Sequence, residues 1–472
     1  MIKKSILTST FLLLLLNGYA QHLKISASKR YIETQNKKPF LWIGDTAWEL
    51  FHKLTREEAD IYLSKRAQQG FTVVQAVILA ENDGLRTPNA YGDLPLNNLS
   101  PEYPNEKYFE HVDYIINKAE ELGLFIAMLP TWGDKVFSNR PGPGPVVFNE
   151  LNSGIFGEFL GRRYREKPVI WVLGGDRNIE NDEVMNIWRS MARGLSKGDN
   201  GNHLITYHPA GEASSSQWFQ NEEWLDFNMY QSGHASRFMK VYKFAGDDYS
   251  KLPVKPFLEA EPAYEDIPVQ FWNFIDWKNV KKVPDSILNA DSLLIDRSHF
   301  KKGFFTDYDV RVHAYWNFLA GACGYTYGNN AVWQMFKKGA PYTIPCLTDW
   351  EEALGSPGAY DMQHVKKLFT LRPFSQIVPF QEFIRGENPE DSTHIRAARA
   401  QDNSFALVYL STGQTADLNI NLLKSKKLLF WWYDPRNGSR SKTKKVRPEV
   451  HRQFSPPSSE FGNDWILVFD RK

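Results

Sequence analysis

The amino-acid sequence predicts an α/β chain: a (β/α)8 (TIM) barrel followed by a small C-terminal antiparallel β-sandwich. Three observations predict it. Eight short apolar runs alternate with helical patterns between residue 40 and about residue 371, the rhythm of parallel strands joined by crossover helices. The runs are almost continuously apolar, as strands covered on both faces must be. From about residue 378 the pattern changes to short strands separated by polar turns. An open doubly wound sheet is the alternative; the first run lacks the glycine-rich, phosphate-cradling turn that would favour it.

The elements follow in order. "FLWIGDTAW" (40–48) precedes a helix at 55–69, where Thr55 and Glu58 make a capping box and Ala59, Tyr62, Leu63 and Arg66 keep helical spacing. "FTVVQAVILA" (71–80) is the second strand, followed by a helix at 106–122 with Phe109, Val112, Ile115, Ile116 and Ala119 on one face. "LFIAMLPTW" (124–132) leads to a helix at 150–166, and "PVIWVLGGD" (168–176) to one at 181–197. "HLITYHPAG" (203–211), a short helix near 214–221, "WLDFNMYQS" (224–232) and a helix at 235–246 come next. "KPFLEAEPAYE" (255–265), a helix at 308–319, "GACGYTYGN" (321–329) and a helix at 361–371 complete the ring. The run "RPGPGPVV" (140–147) is too long for a tight turn and is expected to shape one wall of the mouth.

Beyond the barrel, "SFALVYLS", "TADLNINLL", "KLLFWWYDP" and "DWILVFD" read as strands of the sandwich. Trp431, Trp432 and Trp465 could form a sugar platform or fill an interface with the barrel; the interface is the preferred reading. The chain divides into residues 1–20, 21–377 and 378–472. In the first segment, Lys3 and Lys4 precede the apolar "ILTSTFLLLLL", and Gly18-Tyr19-Ala20 offers a cleavage site. An export signal cut after Ala20 is expected, giving a periplasmic or secreted protein that leaves the membrane on cleavage. A net charge of +1 over 472 residues gives no electrostatic case for nucleic acid or an anionic membrane. Cys323 and Cys346 are the only cysteines, so no disulfide framework holds the fold, and their pairing is left open. A monomer is expected.

In a barrel the chemistry sits at the C-terminal ends of the strands. The polar and aromatic residues there are Asp45 and Trp48; Glu81 and Asn82; Trp132, Asp134 and Lys135; Asp176 and Arg177; Tyr207 and His208; Tyr230 and Gln231; Glu261 and Tyr264; Asn329 and Trp333. They contain no recognisable metal set and no Gly-x-Ser-x-Gly elbow, and no cofactor is expected. Carboxylates, amides and aromatic rings suit a sugar, and glycosidic hydrolysis needs two carboxyl groups. Asp176 and Glu261, after the fourth and seventh strands, can face each other across the mouth. Asp176 also reads as a turn residue or helix cap, and Glu261 as an ion-pair partner.

"FLWIGDTAWELFHKLTREEADIYL", "GFTVVQAVILAENDGLRTPNAYGDLPL", "LPTWGDKV", "WVLGGDRN", "TYHPAG", "EAEPAYE" and "AGACGYTYGNNAVWQM" together resemble the apiosidase-like glycoside hydrolases, family 140, across roughly residues 30–375. The part from about 380 resembles the collagen-binding-type β-sandwich that follows this catalytic domain. The resemblance implies a barrel hydrolase with Asp176 as acid/base and Glu261 as nucleophile. It also implies release of apiose from galacturonic acid in a plant pectic polysaccharide, rhamnogalacturonan II. Another furanosidase or galactosidase, or a non-catalytic sugar-binding protein, are the rival readings. If galacturonate is the leaving group, Lys135, Arg177 or Arg86 could meet its carboxylate.

Overall fold

The computed structural model describes residues 22–138, 144–273 and 300–472. The expected export signal and the start of the 140–147 run lie outside them. Eight strands form the barrel: β1 (Trp42–Thr46), β2 (Val73–Leu79), β3 (Phe125–Thr131), β4 (Val169–Gly174), β5 (Ile205–His208), β6 (Asn228–Gln231), β7 (Phe257–Glu261) and β8 (Gly324–Tyr327). Each falls inside one of the predicted apolar runs. Neighbours pair in parallel from β1 to β5 and from β6 to β8, and β8 closes on β1 with Tyr327 opposite Asp45. Between β5 and β6 side chains bridge the strands: Thr206 Oγ1 donates to the Phe227 carbonyl (2.6 Å), and the Ile205 N–H donates to the Asp226 carboxylate (2.7 Å).

The crossover helices start where the sequence supplies caps. Thr55 opens Arg56–Gln68 with the predicted capping box, and Asn149 and Thr306 make equivalent boxes for Glu150–Tyr164 and Asp307–Leu319. Two predicted starts move. The final helix begins at Pro357 rather than 361, with proline in its first turn. The helix expected at 235–246 begins only at Val241. Residues 233–240 remain a loop over the barrel mouth, tied down where the Gln270 N–H donates to the His234 carbonyl (3.0 Å). Cys323 and Cys346 are separate buried thiols. No helix among the described residues is long and apolar enough to cross a membrane.

The C-terminal strands are β9 (Ile377–Pro379), β10 (Ile395–Ala400), β11 (Phe405–Leu410), β12 (Ala416–Leu418), β13 (Leu428–Asp434), β14 (Ser439–Arg440), β15 (Lys444–Val446), β16 (Arg452–Phe454) and β17 (Trp465–Arg471). The main antiparallel sheet runs β9-β10-β11-β17-β13-β14, with β15 also on β13, while β12 and β16 form a separate ribbon. Alternation along each strand divides the side chains. Ala398, Leu407, Tyr409, Trp431, Tyr433, Ile466 and Val468 join the core of the barrel. Ala397, Ala406, Val408, Trp432, Leu467 and Phe469 build a core of their own. Of the three tryptophans expected at the interface, only Trp431 is there; Trp432 and Trp465 belong to the other face, because Trp431 and Trp432 are consecutive on a strand and point opposite ways.

The interface is also charged. Arg311, on the helix Asp307–Leu319, binds Asp361 (2.7 Å) on the last barrel helix and Asp464 (3.2 Å) on the C-terminal side, and all three side chains are buried. The Tyr409 hydroxyl donates to Asp464 (3.0 Å), and the Tyr308 hydroxyl to the Ser411 carbonyl (2.8 Å). Arg311→Met is expected to destabilise the chain by about 3–5 kcal/mol in chemical denaturation, because it strands buried carboxylates. A chain truncated after residue 377 is expected to be insoluble; a soluble, folded barrel would show that the second sheet is dispensable.

Candidate active site

A cavity of about 720 Å³ opens at the C-terminal ends of the strands. Its geometry is set at the end of β4. Gly174, Gly175 and Asp176 have successive φ values of +90°, +99° and +52°, left-handed conformations that favour glycine. The close packing explains why glycine stands first and second. A Cβ on Gly174 would lie 2.2 Å from the His208 carbonyl oxygen, and one on Gly175 would lie 2.9 Å from the Trp132 ring. Asp176 then carries a side chain in a conformation costing about 1 kcal/mol or more, and that side chain lines the cavity. The cap of the following helix is Asn181, whose side chain accepts from the Val184 N–H. Asp176 therefore does not cap that helix.

Glu261 ends β7. Between Glu259 and Glu261 the pairing with β6 slips by one residue, and such a bulge re-aims the side chain that follows it. Glu261 is only 7% exposed. His208 Nε2 lies 3.3 Å from its Oε2, and His234 Nε2 lies 3.3 Å from its Oε1. Burial, and then the charge of Asp176, push the Glu261 carboxyl well above its ordinary range, while hydrogen bonds from Tyr264 and Gln231 pull the other way. Trp48 Nε1 donates to the Tyr264 hydroxyl (3.2 Å), holding the ring in place. Burial lowers both histidines, His208 to about 4 and His234 to about 3, so both are neutral near pH 7.

Other predicted residues join the pair. Glu81, Asn82, Asp134, Arg177, Gln231, Tyr264, Trp48, Trp132 and Trp333 line the same cavity. Burial and the charges of Glu49, Asp176, Glu261 and Asp134 raise the Glu81 carboxyl strongly. Asn82 is locked, donating to Glu49 (3.0 Å) and accepting from Thr343 (2.7 Å). Arg177 Nη1 donates to the Asp176 carbonyl (2.8 Å) and stands 3.7 Å from its carboxylate.

Six predicted residues do not line the cavity. Asp45 is sealed beneath it, accepting from Tyr62 (2.5 Å) and Arg66 (2.6 Å) in a network that ties the first helix to β1. Lys135 is buried against Asp134 (2.7 Å). Tyr207 donates to the Arg177 carbonyl (2.8 Å) and Tyr230 to Asn317 (2.6 Å), both from the interior. Asn329 caps the short helix Asn330–Trp333 and so places Trp333. His208 supports Glu261 from behind.

Sequence reasoning missed His234, Phe271 and Trp272, which do line the cavity. His234 had a weak signal, three residues past the end of β6 and just before the helix expected from 235. Among the described residues no group of three His, Cys, Asp or Glu side chains is placed to hold a metal ion.

Asp176 after β4 and Glu261 ending β7 bring to one aromatic cavity the two carboxyl groups that cleavage of a glycosidic bond needs. The comparisons with known proteins agree on the class. Over 96% of its length the chain is similar to a solved glycoside hydrolase (29% identity, TM-score 0.82, 97% of that chain). It is equally similar to a Bacteroides vulgatus structure described as a glycoside hydrolase family 5 (29% identity, TM-score 0.81, 96% of this chain and 93% of that one). A family 5 mannosidase from Rhizomucor miehei shares the fold at 13% identity (TM-score 0.51, 75% of this chain and all of that one). No curated protein matches. This chain is a glycoside hydrolase. It belongs to the family described as "Apiosidase-like, catalytic domain", whose model matches residues 26–376. Residues 378–470 match the family described as "Putative collagen-binding domain of a collagenase".

Below the cavity lies Glu259, fully buried, accepting a hydrogen bond from Ser232 with the Tyr230 hydroxyl 3.5 Å away. Burial raises its carboxyl to about 8. A folded pKa above the unfolded one gives stability that is full below the unfolded value, near 4.5, and is lost as pH rises through 8. Glu259→Gln should therefore flatten the decline in unfolding free energy between about pH 5 and pH 8, by on the order of 3 kcal/mol. Denaturant titrations of the two proteins across that range measure it.

Proposed function

We propose that the protein is an exo-acting furanosidase that releases apiose, or a closely similar furanose, from galacturonic acid in rhamnogalacturonan II. The observation that carries this reading is the coincidence of the apiosidase-like family match over residues 26–376 with the convergence of Asp176 and Glu261 on one cavity. A monomer acting on plant pectic fragments outside the cytoplasm fits the export signal expected from the first twenty residues.

In the proposed reaction Asp176, protonated, donates its proton to the glycosidic oxygen. Glu261, ionised, attacks the anomeric carbon as the bond to that oxygen breaks, and a glycosyl ester forms on Glu261. Asp176, now a base, takes a proton from water, which attacks the same carbon and frees Glu261. The configuration is retained. Two close carboxyls in a dry site share one proton more readily than they lose both. The donors on Glu261 offset part of the burial that raises its carboxyl, in the direction the reaction requires.

A galacturonate leaving group would bring its own carboxylate into a cavity that already holds Glu81, Asp134, Asp176, Glu212 and Glu261. It needs a cation. Lys135 is sealed against Asp134, and Arg86 is engaged with Asp83 (2.8 Å) away from the cavity. Among the described residues Arg177 is the Lys or Arg side chain that lines the cavity, so it takes this role.

Asp176→Ala and Glu261→Ala are each expected to lower kcat about a thousandfold or more on rhamnogalacturonan II fragments, read as free apiose by chromatography. Azide should restore turnover of an aryl furanoside by Asp176→Ala and yield a glycosyl azide of retained configuration. Release of arabinose or galactose in place of apiose would keep the pair and change the sugar; no release at all would leave a sugar-binding protein. Arg177→Met should lower kcat/KM roughly a hundredfold for the galacturonate-linked substrate and only a few-fold for a neutral aryl furanoside.

A further inference from the structure

Glu261 is gripped from the loop that replaced the predicted start of the helix at 235. The Gly233 N–H donates to the Glu261 carbonyl (3.1 Å), and the next side chain, His234, reaches the Glu261 carboxylate (3.3 Å). The other ring nitrogen settles the tautomer. The Tyr264 N–H points at His234 Nδ1 (3.4 Å), so Nδ1 accepts and the ring proton resides on Nε2, facing the carboxylate. The ring is held by Tyr264 (centroids 4.7 Å apart), Phe271 (5.7 Å) and Phe305 (6.4 Å). It is 7% exposed and lines the cavity.

We infer that His234 is a positioning residue: as a neutral imidazole it donates Nε2–H to Glu261, fixing the carboxylate toward the anomeric carbon and favouring its ionised form. This rests on the two-carboxylate reading above. The opposing influences are nearby. Asp176 after β4 and Glu81 after β2 are acidic and disfavour ionisation of Glu261, and His208 on β5 and Tyr264 after β7 face its other side. A charged histidine could not remain in this dry setting, whereas a neutral N–H donor stabilises a carboxylate without adding a second buried charge.

The test compares wild type with His234→Phe, which keeps the aromatic packing and removes the donor, and His234→Gln, whose amide Nε2–H can replace it. For His234→Phe, kcat should fall about a hundredfold with KM nearly unchanged, and the acidic limb of the kcat/KM profile should move up by about one pH unit. His234→Gln should recover most of both. The ionisation is also read without turnover, by 13C-carboxyl NMR of glutamate-labelled protein, with the Glu261 signal identified by its loss in Glu261→Gln. An unmoved signal and acidic limb in His234→Phe, or equal defects in the Phe and Gln variants, would overturn the inference. A signal that moves in a wild-type background without glycosidase activity would support the grip on Glu261 and remove the two-carboxylate reading.

Discussion

The chain at Gly174 and Gly175 passes so close to its neighbours that no side chain fits, and the site is organised around that contact. On one side the Gly175 N–H donates to the His208 carbonyl (3.0 Å); on the other the Gly133 N–H donates to the Gly175 carbonyl (3.0 Å). These bonds continue the β3-β4-β5 ladder past the formal end of β4, so the turn carrying Asp176 is as rigid as the sheet. Gly133 in turn leaves room for the Arg177 stem, which a Cβ there would meet at 2.5 Å. A catalytic constellation held on extended strands is more exact than one held on a free loop, and a residue with φ of +52° persists only where its surroundings over-determine it.

Around this turn the cavity collects acidic groups in a setting that resists charging them. Trp48, Trp132 and Trp333 line the cavity with apolar surface, and Trp48 packs against both Trp132 (5.2 Å) and His208 (5.4 Å). Exclusion of water strengthens every electrostatic interaction inside. Burial and neighbouring negative charge raise the Glu81 and Glu261 carboxyls, while Glu49, itself buried but near the charge of Lys53 and hydrogen-bonded to His52, is held at about 2. Neutral donors on Glu261 and the locked Asn82 order this crowd, and Arg177, 3.7 Å from the Asp176 carboxylate, is the cation beside it.

The second sheet acts through the helix Asp307–Leu319, which is buried along nearly all of its length because barrel and sheet cover opposite sides. A helix apolar on one face alone could not be covered twice; this one buries Tyr308, Tyr315 and Leu319 on one face and Val310, Ala314 and Phe318 on the opposite one. The Trp316 indole donates to the His394 carbonyl (3.1 Å), and Tyr242 stacks on His394 at 3.9 Å. The crossover before β8 is thus braced from outside, and with it the closing strand of the barrel.

The barrel, the existence of the second sheet, and the placement of Asp176 and Glu261 at strand ends were legible in the sequence, whereas the face each of its tryptophans takes was not. Periodicity and glycine pairs are local properties, and the strand end is where a barrel keeps its chemistry. Asp45 and His234 were not legible, for opposite reasons. Asp45 stands at a strand end like the others, but whether its carboxylate faces the mouth or the interior depends on Arg66 and Tyr62 arriving from the next helix. His234 stands just before a stretch with helical character, and contacts with residues 261, 264 and 270 hold that loop open over Glu261. Sequence by itself determines which elements form and which residues stand at their ends, because those follow from spacing along the chain. Which carboxylate is sealed, which lines the cavity and which cations are already paired are decided by tertiary structure, because each depends on a partner brought in from elsewhere in the chain.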